Sequence, residues 1–94
     1  MLNDNKARIL REDHKLRDVL YLIYSVDSGQ LGDVNKPFYV TTATQKLHLS
    51  VREVGDNLGR LREMELIDNN GQTIRLREEA MRYIPDYLKK EFRH

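Results

Sequence analysis

The first third of the chain repeats apolar residues at intervals of three or four positions, the spacing of one face of an α-helix. The apolar stripe within residues 4–27 consists of Ile9, Leu16, Val19, Leu20, Ile23 and Val26. Charged side chains fill many of the remaining positions, so the pattern predicts one long amphipathic helix. Turn residues at Ser28-Gly29 and again at Gly32-Asp33 predict its end.

A proline interrupts the helical pattern before the centre of the chain. Pro37 disfavours helix locally, and the aromatic and β-branched residues 38–40 that follow it favour a short strand. Thr42 precedes Gln45 by three positions, which is the spacing of a capping box at a helix start. A short second helix is therefore predicted over residues 43–47 or 48.

A second capping box opens the most regular pattern in the chain. Ser50 is followed three positions later by Glu53, so each side chain is placed to bond a backbone N–H of the first turn. Apolar residues then recur at helical spacing, at Val51, Val54, Leu58 and Leu61. These signals predict a third helix over residues 51–65.

The period of the pattern changes after the third helix. Leu66-Ile67 begins a strand, and Asn70-Gly71 is a strong signal for a hairpin turn. Residues 66–69 are expected to pair with residues 72–77, and the strand at residues 38–40 is expected to join them in one small antiparallel sheet. The sequence therefore predicts a β-hairpin directly behind the third helix.

A last helix is predicted over residues 78–94. Its apolar side consists of Ala80, Met81, Ile84, Leu88 and Phe92. Pro85 lies inside this segment, and proline cannot donate a helical hydrogen bond. Either a kink or two short abutting helices are therefore expected there.

Composition narrows the class of protein. Ninety-four residues without a linker or repeat predict one domain over residues 1–94. The absence of cysteine excludes disulfides and thiolate metal sites, and His14, His48 and His94 show no metal-ligand spacing. No apolar run is long enough for a bilayer, and the N-terminus is too polar for a signal peptide, so a cytoplasmic protein without membrane contact is expected. No catalytic constellation is evident, so neither an enzyme nor a cofactor is predicted.

The central pattern resembles the winged helix-turn-helix superfamily, in particular small MarR-like transcription regulators. The residues that carry the resemblance are Ala43, Leu47, His48-Leu49-Ser50, Val54, Leu58, Leu61 and Glu65-Leu66-Ile67. Three positions depart from the family pattern, which has glycine at His48 and Glu65 and usually a helix-capping threonine at Arg77. The resemblance covers about residues 40–80.

This resemblance implies a mainly α-helical fold with a small antiparallel β-hairpin wing. The expected parts are an N-terminal helix over residues 1–30, a helix-turn-helix with its wing over residues 38–77, and a C-terminal helix over residues 78–94. It also implies sequence-specific binding of double-stranded DNA in transcription regulation, with the helix at residues 51–65 inserted in the major groove.

The outer side of the third helix is the candidate DNA-reading face. Arg52 and Arg60 are suited to guanine, and Asp56 is suited to a cytosine amino group. Gly59 has no Cβ and would allow a close approach. The other candidate DNA-contacting residues are Thr41, Thr42, Lys46, Ser50, Gln72 and Arg75.

Two alternatives to DNA remain open for this face. The formal net charge of +1, from 16 basic and 15 acidic residues, does not by itself indicate a nucleic-acid binder. A surface of mixed charge is also typical of a solvated helix. Winged helices can moreover serve as protein-interaction modules in larger complexes, so a protein partner is the main alternative.

The terminal helices predict a homodimer. A first helix of about 24 residues would extend about 36 Å, longer than a small core requires. The last helix adds an apolar surface made of Tyr83, Ile84, Tyr87, Leu88 and Phe92. A two-fold contact between these helices would bury that surface in both subunits. The alternative is that the two helices pack on each other within a monomer.

Overall fold

A computed structural model of the chain describes residues 4–30 and 34–91. In chain order its elements are α1 (Asp4–Glu12), α2 (His14–Gln30), β1 (Val34–Asn35), α3 (Lys36–Leu47), α4 (Val51–Glu63), β2 (Ile67–Asn69), β3 (Thr73–Leu76), the 3₁₀-helix η1 (Glu78–Tyr83) and α5 (Asp86–Glu91). The predicted α-rich fold with a small antiparallel sheet is confirmed. The predicted turn at Gly32-Asp33 and the apolar residue Phe92 lie outside the described residues.

The predicted long first helix is two helices that meet at Asp13. The carboxylate of Asp13 accepts the backbone N–H of Leu16 over 3.0 Å, the bond of a helix-capping aspartate. An aspartate that bonds the backbone in this way starts a new helix rather than continuing the old one. The prediction of one helix over residues 4–27 was therefore wrong at this point, and α2 also runs further, to Gln30.

The second predicted helix begins earlier than expected. Pro37 lies in the first turn of α3, where its missing N–H has no helical partner to lose. The side chain of Asn35 caps this turn by accepting the N–H of Phe38 over 3.3 Å. The predicted strand at residues 38–40 and the predicted cap at Thr42 are therefore wrong, and β1 lies before the proline instead.

The capping box at the start of α4 is confirmed. The hydroxyl of Ser50 accepts the N–H of Glu53 over 3.0 Å, and the carboxylate of Glu53 accepts the N–H of Ser50 over the same distance. Left-handed backbone flanks the helix on both sides, with φ of 58° at His48 and 64° at Glu65. These are the two positions at which the resembling family has glycine, and a side chain in this conformation costs about 1–2 kcal/mol.

The three strands form one antiparallel sheet in the order β1-β3-β2. Asp68 pairs with Arg75 across β2 and β3, while Val34 of β1 pairs with Ile74 on the other edge of β3. The hairpin turns at Asn70, whose side-chain oxygen accepts the backbone N–H groups of Gln72 and Thr73. The predicted hairpin and three-stranded sheet are confirmed, with β1 formed by different residues.

The core lies between α2, α3, α4 and the sheet. Its largest fully buried side chain is Tyr39, and the predicted core residues Leu58 and Leu61 are also fully buried. The hydroxyl of Tyr39 donates to the backbone carbonyl of Val19 on α2 over 2.8 Å. Burial raises the pKa of Tyr39 well above its ordinary value. This bond joins α3 to α2, the two helices against which α4 packs.

The C-terminal segment consists of two short helices separated at Pro85. The first, η1, is a 3₁₀-helix, and α5 begins directly after the proline. Of the two outcomes expected at Pro85, abutting short helices are therefore the one observed. Ile84 is buried in the core, whereas Tyr87 on α5 is 64% exposed. The segment thus contributes to the core mainly through η1 and the residue that follows it.

Candidate nucleic-acid interface

Helix α4 has a buried side and an outer side. The buried side consists of Val54, Asn57, Leu58 and Leu61, packed toward α2 and α3. The predicted outer residues are all exposed: Arg52, Asp56, Gly59, Arg60 and Glu63. The helical spacing therefore placed this face correctly, and the exposure it requires is present in the folded chain.

Gly55 and Gly59 have no side chains and therefore leave an open strip on the outer side of α4. A Cβ built at Gly55 or at Gly59 would meet no other atom of the described residues within 4 Å. Packing within the monomer therefore does not require glycine at either position, although each costs about 1 kcal/mol relative to alanine in a helix. Gly55 was not among the predicted contact residues, but it lies one turn before Gly59 and extends the same open strip.

One edge of α4 is held to the junction between α1 and α2. The guanidinium of Arg60 lies 2.5 Å from the carboxylate of Asp13, and the ammonium of Lys15 lies 2.6 Å from the carboxylate of Glu53. The backbone N–H of Leu16 is the main cause that lowers the pKa of Asp13, and Arg60 lowers it further. Arg60 is therefore already paired with the carboxylate of Asp13, a contact that the sequence did not indicate.

The second ion pair at this edge, between Lys15 and Glu53, shifts the pKa of both groups. The hydrogen bond from Lys15 lowers the pKa of Glu53, and the N–H of Ser50 adds to that effect. The pKa of Lys15 is raised by the same hydrogen bond. Glu53 thus has two partners, one within the capping box and one on α2.

Arg52 differs from Arg60 in its surroundings. It is exposed on the outer side of α4, and no ion pair connects it to another residue in the described part of the chain. Its guanidinium is therefore available for a bidentate contact with an external acceptor. Asp56 and Glu63 are also exposed on this side, so the face carries both signs of charge.

The remaining predicted contact residues lie on elements that adjoin α4. Thr41 and Lys46 are exposed on α3, Thr42 is half-buried beside them, and the hydroxyl of Thr41 donates to the carbonyl of Pro37 over 3.2 Å. Gln72 and Arg75 are exposed on the hairpin, where β2 contacts α4. Helix α4 thus contacts both α3 and the first strand of the hairpin, the two elements that carry or adjoin the other predicted residues.

No group of three or more histidine, cysteine or acidic side chains within residues 4–30 and 34–91 is placed to hold a metal ion. No helix in that part of the chain is long and apolar enough to cross a membrane.

Comparison with known proteins adds no relative. The chain matches no protein-family model, and neither a curated protein nor a solved structure is significantly similar to it. Its function therefore has to be inferred from α3, α4, the hairpin and the chemistry of their exposed side chains.

Proposed function

We propose that α3, α4 and the β2–β3 hairpin form a winged helix-turn-helix. Three features support this proposal: the short strand before α3, the tight turn between α3 and α4, and the hairpin directly after α4. The left-handed conformations of His48 and Glu65 add a fourth, because they occur at the positions where the resembling family has glycine. In this arrangement α4 is the recognition helix and the hairpin is the wing.

The chain then acts as a sequence-specific double-stranded DNA binder, most consistent with a transcription regulator. The observation that carries this proposal is the outer side of α4, where an unpaired arginine lies beside an open strip made by two glycines. A helix of 13 residues is about 20 Å long and fits a major groove about 12 Å wide. Arg52 would pair with a guanine edge, and Gly59 would bring the helix axis closer to the bases.

The other predicted residues take supporting roles in this arrangement. Contacts to the DNA backbone are assigned to Thr41, Thr42, Lys46, Ser50, Gln72 and Arg75. Asp56 would accept from a cytosine amino group. Arg60 would reach a base only after leaving Asp13, so its contribution is expected to be smaller than that of Arg52.

A gel-shift titration tests the proposal. Duplexes are first selected from random DNA with the intact chain, and the best duplex is then titrated at increasing salt. Binding through phosphates must weaken as salt rises, with a slope set by the number of contacts. Arg52→Gln should reduce affinity for the selected duplex at least about tenfold. Arg8→Gln on α1 removes the same charge from an exposed helix and should change affinity little.

A protein partner is the second candidate for this face, and one observation favours it. Val51 was expected to belong to the apolar stripe of α4 but is 68% exposed, one turn before Gly55. An exposed apolar side chain beside the open strip of glycines is also suited to contact a partner helix. If the chain shifts no duplex even at low salt, DNA binding is abandoned and the winged-helix interaction module takes its place.

We also propose that the chain forms a homodimer through its terminal helices. Tyr87 supports this, because it is a large side chain left exposed on α5. Most apolar residues of α2 and Ile84 are buried within the monomer, so the available surface is smaller than the sequence suggested. Light scattering distinguishes a mass near 11.1 kDa from a doubled mass, and Tyr87→Ser should shift a dimer toward monomer.

A further inference from the structure

A second surface of the molecule concentrates arginine around a groove. The groove lies between α1, α2 and η1 and encloses about 280 Å³. Arg11, Arg17 and Arg82 approach it from these three elements, and the rings of Tyr21 and Tyr83 form part of its wall. Two consecutive helices and the distant η1 therefore bring the same functional group to one depression.

The charges in the groove are poorly compensated. None of the described residues that line it carries a carboxylate. Arg11 and Arg82 take part in no ion pair within the described ranges, and Arg17 has only a loose one, with 3.9 Å between its Nε and the carboxylate of Asp18. The whole chain has a formal net charge of +1, so this local excess is not a general property of the surface.

The walls of the groove offer apolar and aromatic surface. Leu10 and Tyr21 contribute to it, and the guanidinium carbon of Arg17 lies 5.9 Å from the centre of the Tyr21 ring. The hydroxyl of Tyr83 is buried and has no hydrogen-bond partner in the described structure. A buried hydroxyl without a partner is unfavourable, and the Tyr83 side chain would have to rotate before a ligand oxygen in the groove could accept from it.

The groove is separate from the proposed DNA-reading face. Lys15 bonds Glu53 of α4, whereas Arg17 lines the groove. Two positions on a helix differ by about 200° around its axis, so these side chains leave α2 on opposite flanks. The groove therefore lies across α2 from α4, and its function does not depend on the proposed DNA binding.

We propose that this groove binds a small organic phosphate that carries a planar ring, of the nucleoside monophosphate class. A phosphate monoester brings up to two negative charges and three acceptor oxygens, which three guanidinium groups can share. A single carboxylate would leave more of the positive charge uncompensated. The tyrosine residues and Leu10 provide surface for a planar ring, and the volume lies just below the usual range of ligand pockets, about 300–1,000 Å³.

Nuclear magnetic resonance on the intact chain tests this proposal directly. Adenosine monophosphate, adenosine, ribose 5-phosphate and inorganic phosphate are titrated separately into the labelled protein. The nucleotide should shift the backbone signals of α1 and η1 around the groove and the side-chain signals of Arg11, Arg17 and Arg82. It should bind at least about tenfold more tightly than either of its parts, because the phosphate and the ring each contribute.

Matched variants separate a built site from general attraction of anions. Arg82→Gln should weaken nucleotide binding about tenfold or more, since it removes one charge-assisted contact. Arg8→Gln is the control, because Arg8 is exposed on α1 and outside the groove.

Four outcomes would overturn the proposal. The nucleotide could leave the groove signals unchanged up to about 1 mM. Inorganic phosphate could bind as tightly as the nucleotide, which would make the groove a simple anion site. Arg8→Gln could weaken binding as much as Arg82→Gln. A DNA duplex could displace the nucleotide from the groove, which would assign the arginines to a nucleic-acid backbone. Loss of the gel shift alone would leave this proposal intact.

Discussion

The outer side of α4 and its edge against the α1–α2 junction have similar residue types and different surroundings. Arg52 faces solvent on the outer side, while Arg60 on the edge is bonded to Asp13. The two residues carry the same charge, and both are exposed on α4. The comparison shows that the availability of an arginine for an external ligand depends on which acid the tertiary fold places next to it.

The largest expected effect sharpens this comparison on DNA. Arg52→Gln is expected to cost about 1–3 kcal/mol in binding free energy, the range of one good bidentate base contact. Arg60→Gln should cost less, because its guanidinium must first leave Asp13. Asp13→Asn should release Arg60 and tighten binding. Equal losses for the two arginine variants, measured by gel shift at one salt concentration, would break the distinction.

The glycine strip provides the next prediction. Gly59→Ala should raise the free energy of unfolding by about 1 kcal/mol, because alanine is the better helix former and no described atom obstructs its Cβ. The same substitution should weaken DNA binding if α4 approaches the bases closely. Urea unfolding and gel shifts measure the two effects. A variant that is more stable and binds DNA with unchanged affinity would show that the open strip has no role in the proposed contact.

The capping box separates the start of α4 from its outer side. Ser50→Ala should lower the free energy of unfolding by about 1 kcal/mol, because the N–H of Glu53 loses its acceptor. Thr44→Ala is the control, since its hydroxyl bonds a carbonyl inside α3, and the expected change is within about 0.5 kcal/mol. Equal effects in urea unfolding would mean that the cap contributes nothing specific.

The smallest expected effect is the pH dependence of the stability that Asp13 contributes at the edge of α4. The pKa of Asp13 is lowered in the folded chain, so its contribution to stability is present above its ordinary pKa and is lost as pH falls through the folded value. For a partly exposed pair this contribution is below about 1 kcal/mol. Urea unfolding of the wild type and of Asp13→Asn should therefore converge as the pH falls from about 5 toward 3. A constant difference across that range would contradict the assignment.

Local signals predicted the start and the buried side of α4, although the helix ends at Glu63 rather than at the predicted residue 65, where the backbone is left-handed. Ser50 and Glu53 mark its start three residues apart, and the predicted apolar residues of the helix are buried except Val51. The start of α3 was missed because Pro37 carries two opposite meanings: it breaks a helix interior and favours a first turn. Only the cap at Asn35, seen in the structure, decides between them.

Contacts between distant residues explain what the sequence could not predict about the site. Arg60 and Asp13 are 47 positions apart, and neither carries a local signal that identifies the other. The basic groove is a stronger case, since Arg11 and Arg82 belong to helical segments at opposite ends of the chain. Helical spacing predicts which side of a helix is exposed, but not which other helix faces that side.

The phenol of Tyr39, which bonds Val19 in the core, can provide an optical signal for unfolding. The chain has five tyrosines and no tryptophan, so its near-ultraviolet absorbance comes mainly from phenol groups. Because burial raises the pKa of Tyr39, this phenol should remain protonated at alkaline pH while exposed tyrosines ionise. The phenolate absorbance of Tyr39 should appear only when the core opens. Above the ordinary tyrosine pKa, the absorbance change that accompanies unfolding therefore reports how often the buried tyrosines, Tyr39 among them, are exposed.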